Sequence, residues 1–392
     1  MFSKKWVLAY IAILSTSFAV MYTSVFQVIN YDIYQAFPNC PEGVSFFISS
    51  PYLVIMAASF FCPVIYRKTD RKKALLAASV IFTLGAISFT QQKTIGGFIV
   101  VNLICALTSA YINVAAVTLI AELYTDEDRR AWYMGWYNSA IAMAGSLFSV
   151  GAGYFAKAGW TAAFNVYWAA ALMTLFVALF IPGGRGEQQA KDEGSKVKRA
   201  YKGYGLRFWI MAVNYVILGI TYFVPGFFLS VYIAEYQLGD AFYAGVALSL
   251  DTLSGAICAL FFDRIYKKLG SYTASAAFVL MGAAIFALYT LPNAAVLVLA
   301  VALMGASYMI SMTYVYQESA ELLPQEMVPG AMGIIVGVQY IATFLATYIT
   351  RGLMAVMHTK YLTPILIFPA LWILAAAAVE YMSVKKSKQG EV

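Results

Sequence analysis

Residues 95–121 read IGGFIVVNLICALTSAYINVAAVTLIA, 27 positions without one charged side chain. At about 1.5 Å per residue a helix of that length outruns the roughly 30 Å hydrocarbon core of a bilayer. Eleven more apolar stretches of similar reach fill the chain. The twelve spans are 6–27, 43–65, 74–92, 95–121, 131–156, 160–181, 207–234, 241–262, 271–290, 294–320, 329–356 and 361–382. A bilayer offers no water to backbone N–H and C=O groups, so a spanning chain is helical or a closed barrel. These stretches are continuous apolar runs, not short alternating ones, and the expected class is an all-α membrane protein.

Composition agrees. Of the 392 residues 62% are hydrophobic and 11% charged, where a soluble domain carries about a quarter charged. The run that follows Lys4 and Lys5 is too long for a signal-peptide core and no small-residue cleavage pattern follows it. The net charge of +7 forms no single basic patch, which argues against nucleic acid as a partner. Of the 26 Lys and Arg, all but Lys93, Lys157, Arg351 and Lys360 fall at the two termini, in the loops after spans two, four and eight, or in the centre. That bias predicts cytoplasmic termini and a cytoplasmic central loop in a plasma membrane, the inner membrane if the cell is bacterial. Cys40, Cys62, Cys105 and Cys258 show no metal spacing or disulfide framework, and His358 is the single histidine. No cofactor is expected.

Residues 183–206, opening Gly183-Gly184-Arg185-Gly186, are rich in Gly and charge and read as a solvated linker whose basic residues can lie on anionic lipid. They separate 1–182 from 207–392, and the two parts share landmarks. Ala121-Glu122-Leu123 and Met134-Gly135 recur as Ala320-Glu321-Leu322 and Met332-Gly333. Two parallel repeats of six helices, pseudo-symmetric about an axis along the membrane normal, are an arrangement of transporters.

Over essentially its full length the chain resembles the major facilitator superfamily. Asp263-Arg264-Ile265-Tyr266-Lys267-Lys268 is similar to the second-half copy of the family's Gly-x-x-x-Asp-Arg-x-Gly-Arg-Lys loop, with Ala259 and Tyr266 in place of glycines. The first-half copy, around Asp70 and Arg71, departs further. Glu122 with Arg129 and Arg130 resembles the family's acid–base pair at the end of span four. Gly159-Trp160-Thr161-Ala162-Ala163-Phe164 resembles its turn before span six, with Thr for Arg. The resemblance implies that Asp70, Arg71, Glu122, Arg130, Asp263, Arg264 and Glu321 latch the halves in one conformation; charges that only fix topology are the alternative. It also implies alternating access to a site near the midplane.

Span five carries Gly135, Ser139, Ala142, Ser146, Ser149 and Gly153 on one face, and span eleven opens with Gly330, Gly333 and Gly337. Small residues let helices approach closely in lipid, as a moving seam or as static packing. The Gly-Pro pattern of the family's antiporters is absent from span five, where Ser146 follows Gly145.

Asp251 is the one acid near the centre of a span. Insertion there costs about 2.5–3.5 kcal/mol, so it should face protein or water. Ala244, Ala247, Ser254, Gly255 and Cys258 share its helix face, while Leu250, Leu253, Ile257 and Phe261 lie elsewhere. It is the candidate site for a proton or other coupling ion, against the alternative of a hydrogen-bonded packing residue. Candidate substrate contacts are Tyr22, Gln27, Asn113 and Asn138 in the first half, and Asn214, Tyr222, Tyr314 and Gln339 in the second, with Tyr111, Tyr215 and Tyr308 beside them. Glu318 groups with the latch and loop residues. Spans one, four, seven and ten lack a central Lys or Arg, and Arg351 stands near the far interface as a snorkelling anchor, with a gate or anion-binding role as the alternative.

The expected function is secondary active transport of a small neutral, zwitterionic or cationic organic solute, proton-coupled, by a monomer. An organic-anion carrier and a non-transporting sensor or lipid-handling protein on the same scaffold are the alternatives. An enzyme is not expected, because no nucleophile–base pair, metal constellation or Walker loop appears.

Overall fold

The computed structural model describes residues 4–123, 127–183, 205–323, 327–359 and 361–388; most of the expected linker and the side chain of Arg130 lie outside these. The described elements are helical, with no β-strand among them. The first six long helices are α1 (Val7–Val28), α2 (Pro41–Lys68), α3 (Arg71–Gln91), α4 (Ile95–Leu123), α5 (Glu127–Ala156) and α6 (Trp160–Phe180). The second six are α7 (Leu206–Phe227), α8 (Ala241–Leu260), α9 (Thr273–Thr290), α10 (Ala294–Leu322), α11 (Val328–Val356) and α12 (Ile367–Lys388). Eleven stretches among the described residues are long and apolar enough to cross a membrane. The remaining long helix is α2, whose 28 residues suffice at 1.5 Å each.

Local chemistry sets the ends. Asp70 accepts a hydrogen bond from the Lys73 amide at 2.9 Å and caps α3, and Asn293 caps α10 through the Val296 amide at 2.9 Å. Gly159 stands at φ +126° before Trp160, a backbone state L side chains rarely adopt, so this turn requires its glycine. The segment Trp160–Trp168 is a tighter 3-10 helix that passes into α-helix only at Ala169, an irregularity the apolar pattern does not announce. The Asp263–Lys268 stretch, expected as a loop, instead forms the short helix Phe262–Leu269, ended by Gly270 at φ +53°.

The chain divides into two compact units, Met1–Gln189 with Asp240–Ser249, and Ala190–Gly239 with Leu250–Val392. Helix pairing repeats between them: α3 packs on α4 and α6 in the first, α9 on α10 and α12 in the second. Likewise α1 packs on α5 and α6, and α7 on α11 and α12. The first unit is filled by rings, with Phe26, Phe47, Phe82, Phe89, Phe98 and Phe164 fully buried around Tyr22 and Tyr167. Leu84, Leu107, Leu147, Leu179 and Leu260 point outward, as a lipid solvent allows.

Close helix approach occurs where the residues are smallest. In the first unit a Cβ added at Gly153 would meet the Ala241 carbonyl oxygen at 2.6 Å, and one at Gly245 the Ser149 oxygen at 2.2 Å. The Ser146–Gly153 end of the α5 stripe is therefore a packing seam for Asp240–Ser249, while a Cβ at Gly135 would have nothing within 4 Å. Gly333 and Gly337 on α11 are open in the same way as Gly135: a Cβ there would have nothing within 4 Å.

Candidate functional site

Three of the site candidates, Asp251, Tyr222 and Gln339, come together in the second unit, with Tyr215 and Tyr308 beside them, on α7, α8, α10 and α11. Asp251 is 9% exposed, and its helix turns as the face analysis requires, with Ala244 and Ala247 buried and Leu253, Ile257 and Phe261 outward. The crossing of α8 with α10 buries it. Gly255 and Gly305 meet there, and the Ser254 hydroxyl donates to the Ala302 carbonyl at 2.7 Å. The Tyr222 hydroxyl of α7 donates to Asp251 Oδ2 in a short hydrogen bond. No cationic side chain pairs with Asp251 among the described residues.

Tyr222 stacks on Tyr308 of α10, with ring centroids 4.1 Å apart and planes 12° from parallel. Gln339 of α11 donates through Nε2 to the Tyr308 hydroxyl at 2.5 Å and accepts from the Tyr215 hydroxyl at 3.1 Å. Asp251, Tyr222, Tyr308, Gln339 and Tyr215 thus form one connected polar and aromatic patch from four helices. Its carboxyl can hold a proton or cation, its ring faces a flat or cationic group, and its amide is fixed at both ends.

Two other second-half candidates belong elsewhere. Asn214 donates to Glu380 Oε2 at 2.8 Å, and the Tyr314 hydroxyl donates to the Ser271 carbonyl at 3.0 Å while accepting from Arg207. Arg207 and Glu380 escaped the sequence reading. Arg207 opens α7 and reads as one more topology-setting cation, and Glu380 lies too near the end of its span to count as central. The available signal was the spacing of Glu380 and Ser383, which puts both on one face of α12.

In the first unit Tyr22 is fully buried, donating to Asn102 Oδ1 at 2.9 Å inside the ring cluster. Asn113 is half-buried and accepts from the Tyr137 hydroxyl at 3.2 Å. Gln27 is half-buried and Asn138 exposed. None of these four is brought to a shared patch by a contact among them.

The expected latch residues form local contacts. Arg71 Nη1 lies 2.7 Å from Glu122 Oε2, which also accepts from the Tyr66 hydroxyl at 3.1 Å. Asp263 pairs with Lys267 at 2.6 Å on an exposed helix turn, and the Arg264 guanidinium lies 5.3 Å from the Phe261 ring centre. Glu321 accepts from Gln317 at 2.8 Å and from the Tyr266 hydroxyl at 3.3 Å. The acid that ends span four therefore has a basic partner in Arg71, and the one that ends span ten has a tyrosine and a glutamine.

The profile of the Major Facilitator Superfamily matches residues 6–347. No curated protein matches the sequence. Among solved structures, a bacterial homologue of the human lysosomal transporter Spinster, inward-facing and unoccupied, superposes with a TM-score of 0.79 at 12% identity, covering 98% of each chain. A mutant of the nucleoside transporter NupG gives 0.75 at 14% identity, over 96% of this chain and 99% of that one. The POT family transporter PepTSo gives 0.75 at 10% identity, over 99% of each. At such identities the likeness is one of fold.

Proposed function

The chain belongs to the major facilitator superfamily, and from that premise we propose that it is a proton-coupled secondary transporter of a small organic solute, working by alternating access. Asp251 is the coupling site. The observation that carries this reading is the Asp251 carboxyl itself, buried in a membrane helix with a tyrosine hydroxyl as its hydrogen-bond partner. A carboxyl so placed is costly to keep charged in hydrocarbon, so its proton occupancy can bias which conformation is favoured.

The solute is neutral, zwitterionic or cationic. The stacked Tyr222–Tyr308 pair and the Gln339 amide suit such groups. The likeness to a nucleoside transporter is one of fold at 14% identity, so this assignment rests on the residues of the patch. The Lys/Arg asymmetry supports a plasma-membrane protein with both termini inside, and residues 183–206 as a cytoplasmic tether between 1–182 and 207–392. The protein acts as a monomer.

The test is uptake into proteoliposomes, using solutes chosen by thermal shift of the purified protein. An imposed pH gradient should drive accumulation, and Asp251→Asn should abolish the gradient response while leaving exchange of solute across the membrane. Uptake indifferent to the gradient, with an Asp251→Asn variant that accumulates normally, would remove the coupling role.

A further inference from the structure

Arg207, Glu380 and Glu318 form a buried ionic cluster that pairs within itself, Arg207 Nη2 lying 2.6 Å from Glu380 Oε1 and 3.5 Å from Glu318 Oε1. Asp251 has no such cation among the described residues, and a neutral hydroxyl stands in its place. The two carboxyl oxygens of Asp251 are placed differently. Oδ2 accepts from the Tyr222 hydroxyl. Oδ1 makes no hydrogen bond to a described residue and lies beside Gly305, where a Cβ would come within 2.8 Å of it. From α10 the carboxyl's helix meets Ala302, Gly305 and Met309, none of which titrates, and on α8 itself Cys258 stands seven positions on. Tyr222 is the titratable group that acts on Asp251.

Tyr222 is in turn held from behind. Its ring lies on Tyr308, with centroids 4.1 Å apart, and the Tyr308 hydroxyl accepts from Gln339 Nε2 at 2.5 Å. Gln339 Oε1 accepts from Tyr215 at 3.1 Å, so the amide is anchored at both ends. Between Tyr215 and Tyr222, α7 comes so close to α11 that a Cβ on Gly219 would meet the Ala342 Cβ at 2.9 Å. Gln339 therefore fixes Tyr308 from a tight helix crossing, and Tyr308 backs the ring whose hydroxyl reaches the carboxyl. A donor to a carboxylate favours the charged form. A donor fixed beforehand does so without reorganising as the charge appears.

We propose that Tyr222 is the positioning residue of the Asp251 site, binding the carboxyl through Oδ2 so that Oδ1 takes and gives the proton, and that Gln339 holds Tyr222 there through Tyr308. The Tyr222 hydroxyl and the Gln339 amide then serve Asp251, and what Tyr222 offers a solute is its ring. As an account of coupling this rests on the transport role of Asp251. The hold on the proton is measurable without transport.

Infrared titration of the full-length protein in lipid vesicles follows the C=O stretch of protonated Asp251, identified as the component missing from Asp251→Asn. Tyr222→Phe keeps the ring and loses the donor, and should move the midpoint of that component up by about one pH unit, a roughly tenfold tighter hold on the proton. Gln339→Leu should move it in the same direction by less. If that chain does not fold, Tyr308→Phe gives the same reading, since it keeps the stacked ring and loses only the hydroxyl that Gln339 holds. In proteoliposomes the pH dependence of uptake by Tyr222→Phe should shift with the midpoint while KM for the solute is unchanged. A midpoint unmoved in Tyr222→Phe, a titrating Asp251 component absent from the parent, or a KM raised severalfold with the pH dependence unchanged would overturn the assignment of Tyr222. A midpoint unmoved in Gln339→Leu or its substitute would strike Gln339 from it. Uptake by the parent that ignores the pH gradient would remove the coupling role alone, and the infrared midpoints would still decide the positioning role.

Discussion

Gly305 on α10 lies against Asp251 on α8 so closely that a Cβ added to it would meet the Asp251 carbonyl oxygen at 2.0 Å and the carboxyl Oδ1 at 2.8 Å. The missing side chain is what lets the two backbones meet, and the meeting is what takes Asp251 out of lipid. Gly305→Ala must push α8 and α10 apart. Overpacking of this kind costs about 1–3 kcal/mol, and the variant should unfold at a lower temperature in detergent. An unchanged Tm would mean that the crossing is looser than described.

Asn102 plays the corresponding part in the first unit, fully buried, accepting from Tyr22 and donating to the Phe47 carbonyl. Asn102→Leu strands both partners and should destabilise by about 1–3 kcal/mol. Tyr22→Phe, which leaves the ring cluster intact, should cost about 1 kcal/mol with solute affinity unchanged. Thermal unfolding and ligand titration on the same preparations separate the two effects. A weakened affinity without loss of stability would support Tyr22 as a substrate contact.

The Arg71–Glu122 pair is partly open, with side chains 15% and 17% exposed. Solvent screening limits such a pair to about 1 kcal/mol. A double-mutant cycle with Arg71→Gln and Glu122→Gln should return a coupling of that size in high-salt detergent and somewhat more in low salt. A coupling of several kcal/mol would show that the pair is desolvated in solution.

Asp32, in the first turn of the short helix Asn30–Ala36 beyond α1, has its carboxyl held above the ordinary aspartate range by burial. The folded chain therefore binds a proton there more readily than the unfolded chain does. Stability contributed by the protonated form is complete below the unfolded value of about 3.9 and is lost as pH rises through the folded one. Asp32→Asn should raise Tm at neutral pH, and its advantage should shrink as the medium is acidified. Tm curves for both proteins across pH check this, and a constant offset would contradict it.

The helices were readable because lipid imposes one rule on every span, and the ends of α4, α8, α10 and α11 fall within about two residues of where the apolar runs stop. Asp251 was readable for the same reason, being an expensive side chain in the middle of such a run, and the spacing of Ala244, Ala247 and Gly255 already put it on the packed face. Arg207 and Glu380 were not, because a charge near a span end has a cheaper explanation in topology and snorkelling, and nothing local shows that it turns inward. The 3-10 segment at Trp160 escaped for a related reason: apolar composition reports that a segment is buried in lipid, not how tightly it is wound.

Sequence alone determined the number of crossings, the repeat, the family and the single carboxyl stranded mid-helix, since each follows from hydropathy, spacing or motif along one strand of chain. Only tertiary structure decided which polar groups meet. Asn214 and Tyr314 share the pattern of Tyr222 and Gln339 in sequence, yet the first pair serves the Arg207 cluster and the second serves Asp251. The physical reason is that a hydrogen bond forms between helices distant in sequence, at a separation set by backbone approach, and approach is set by residues such as Gly305 whose only contribution is the space they leave.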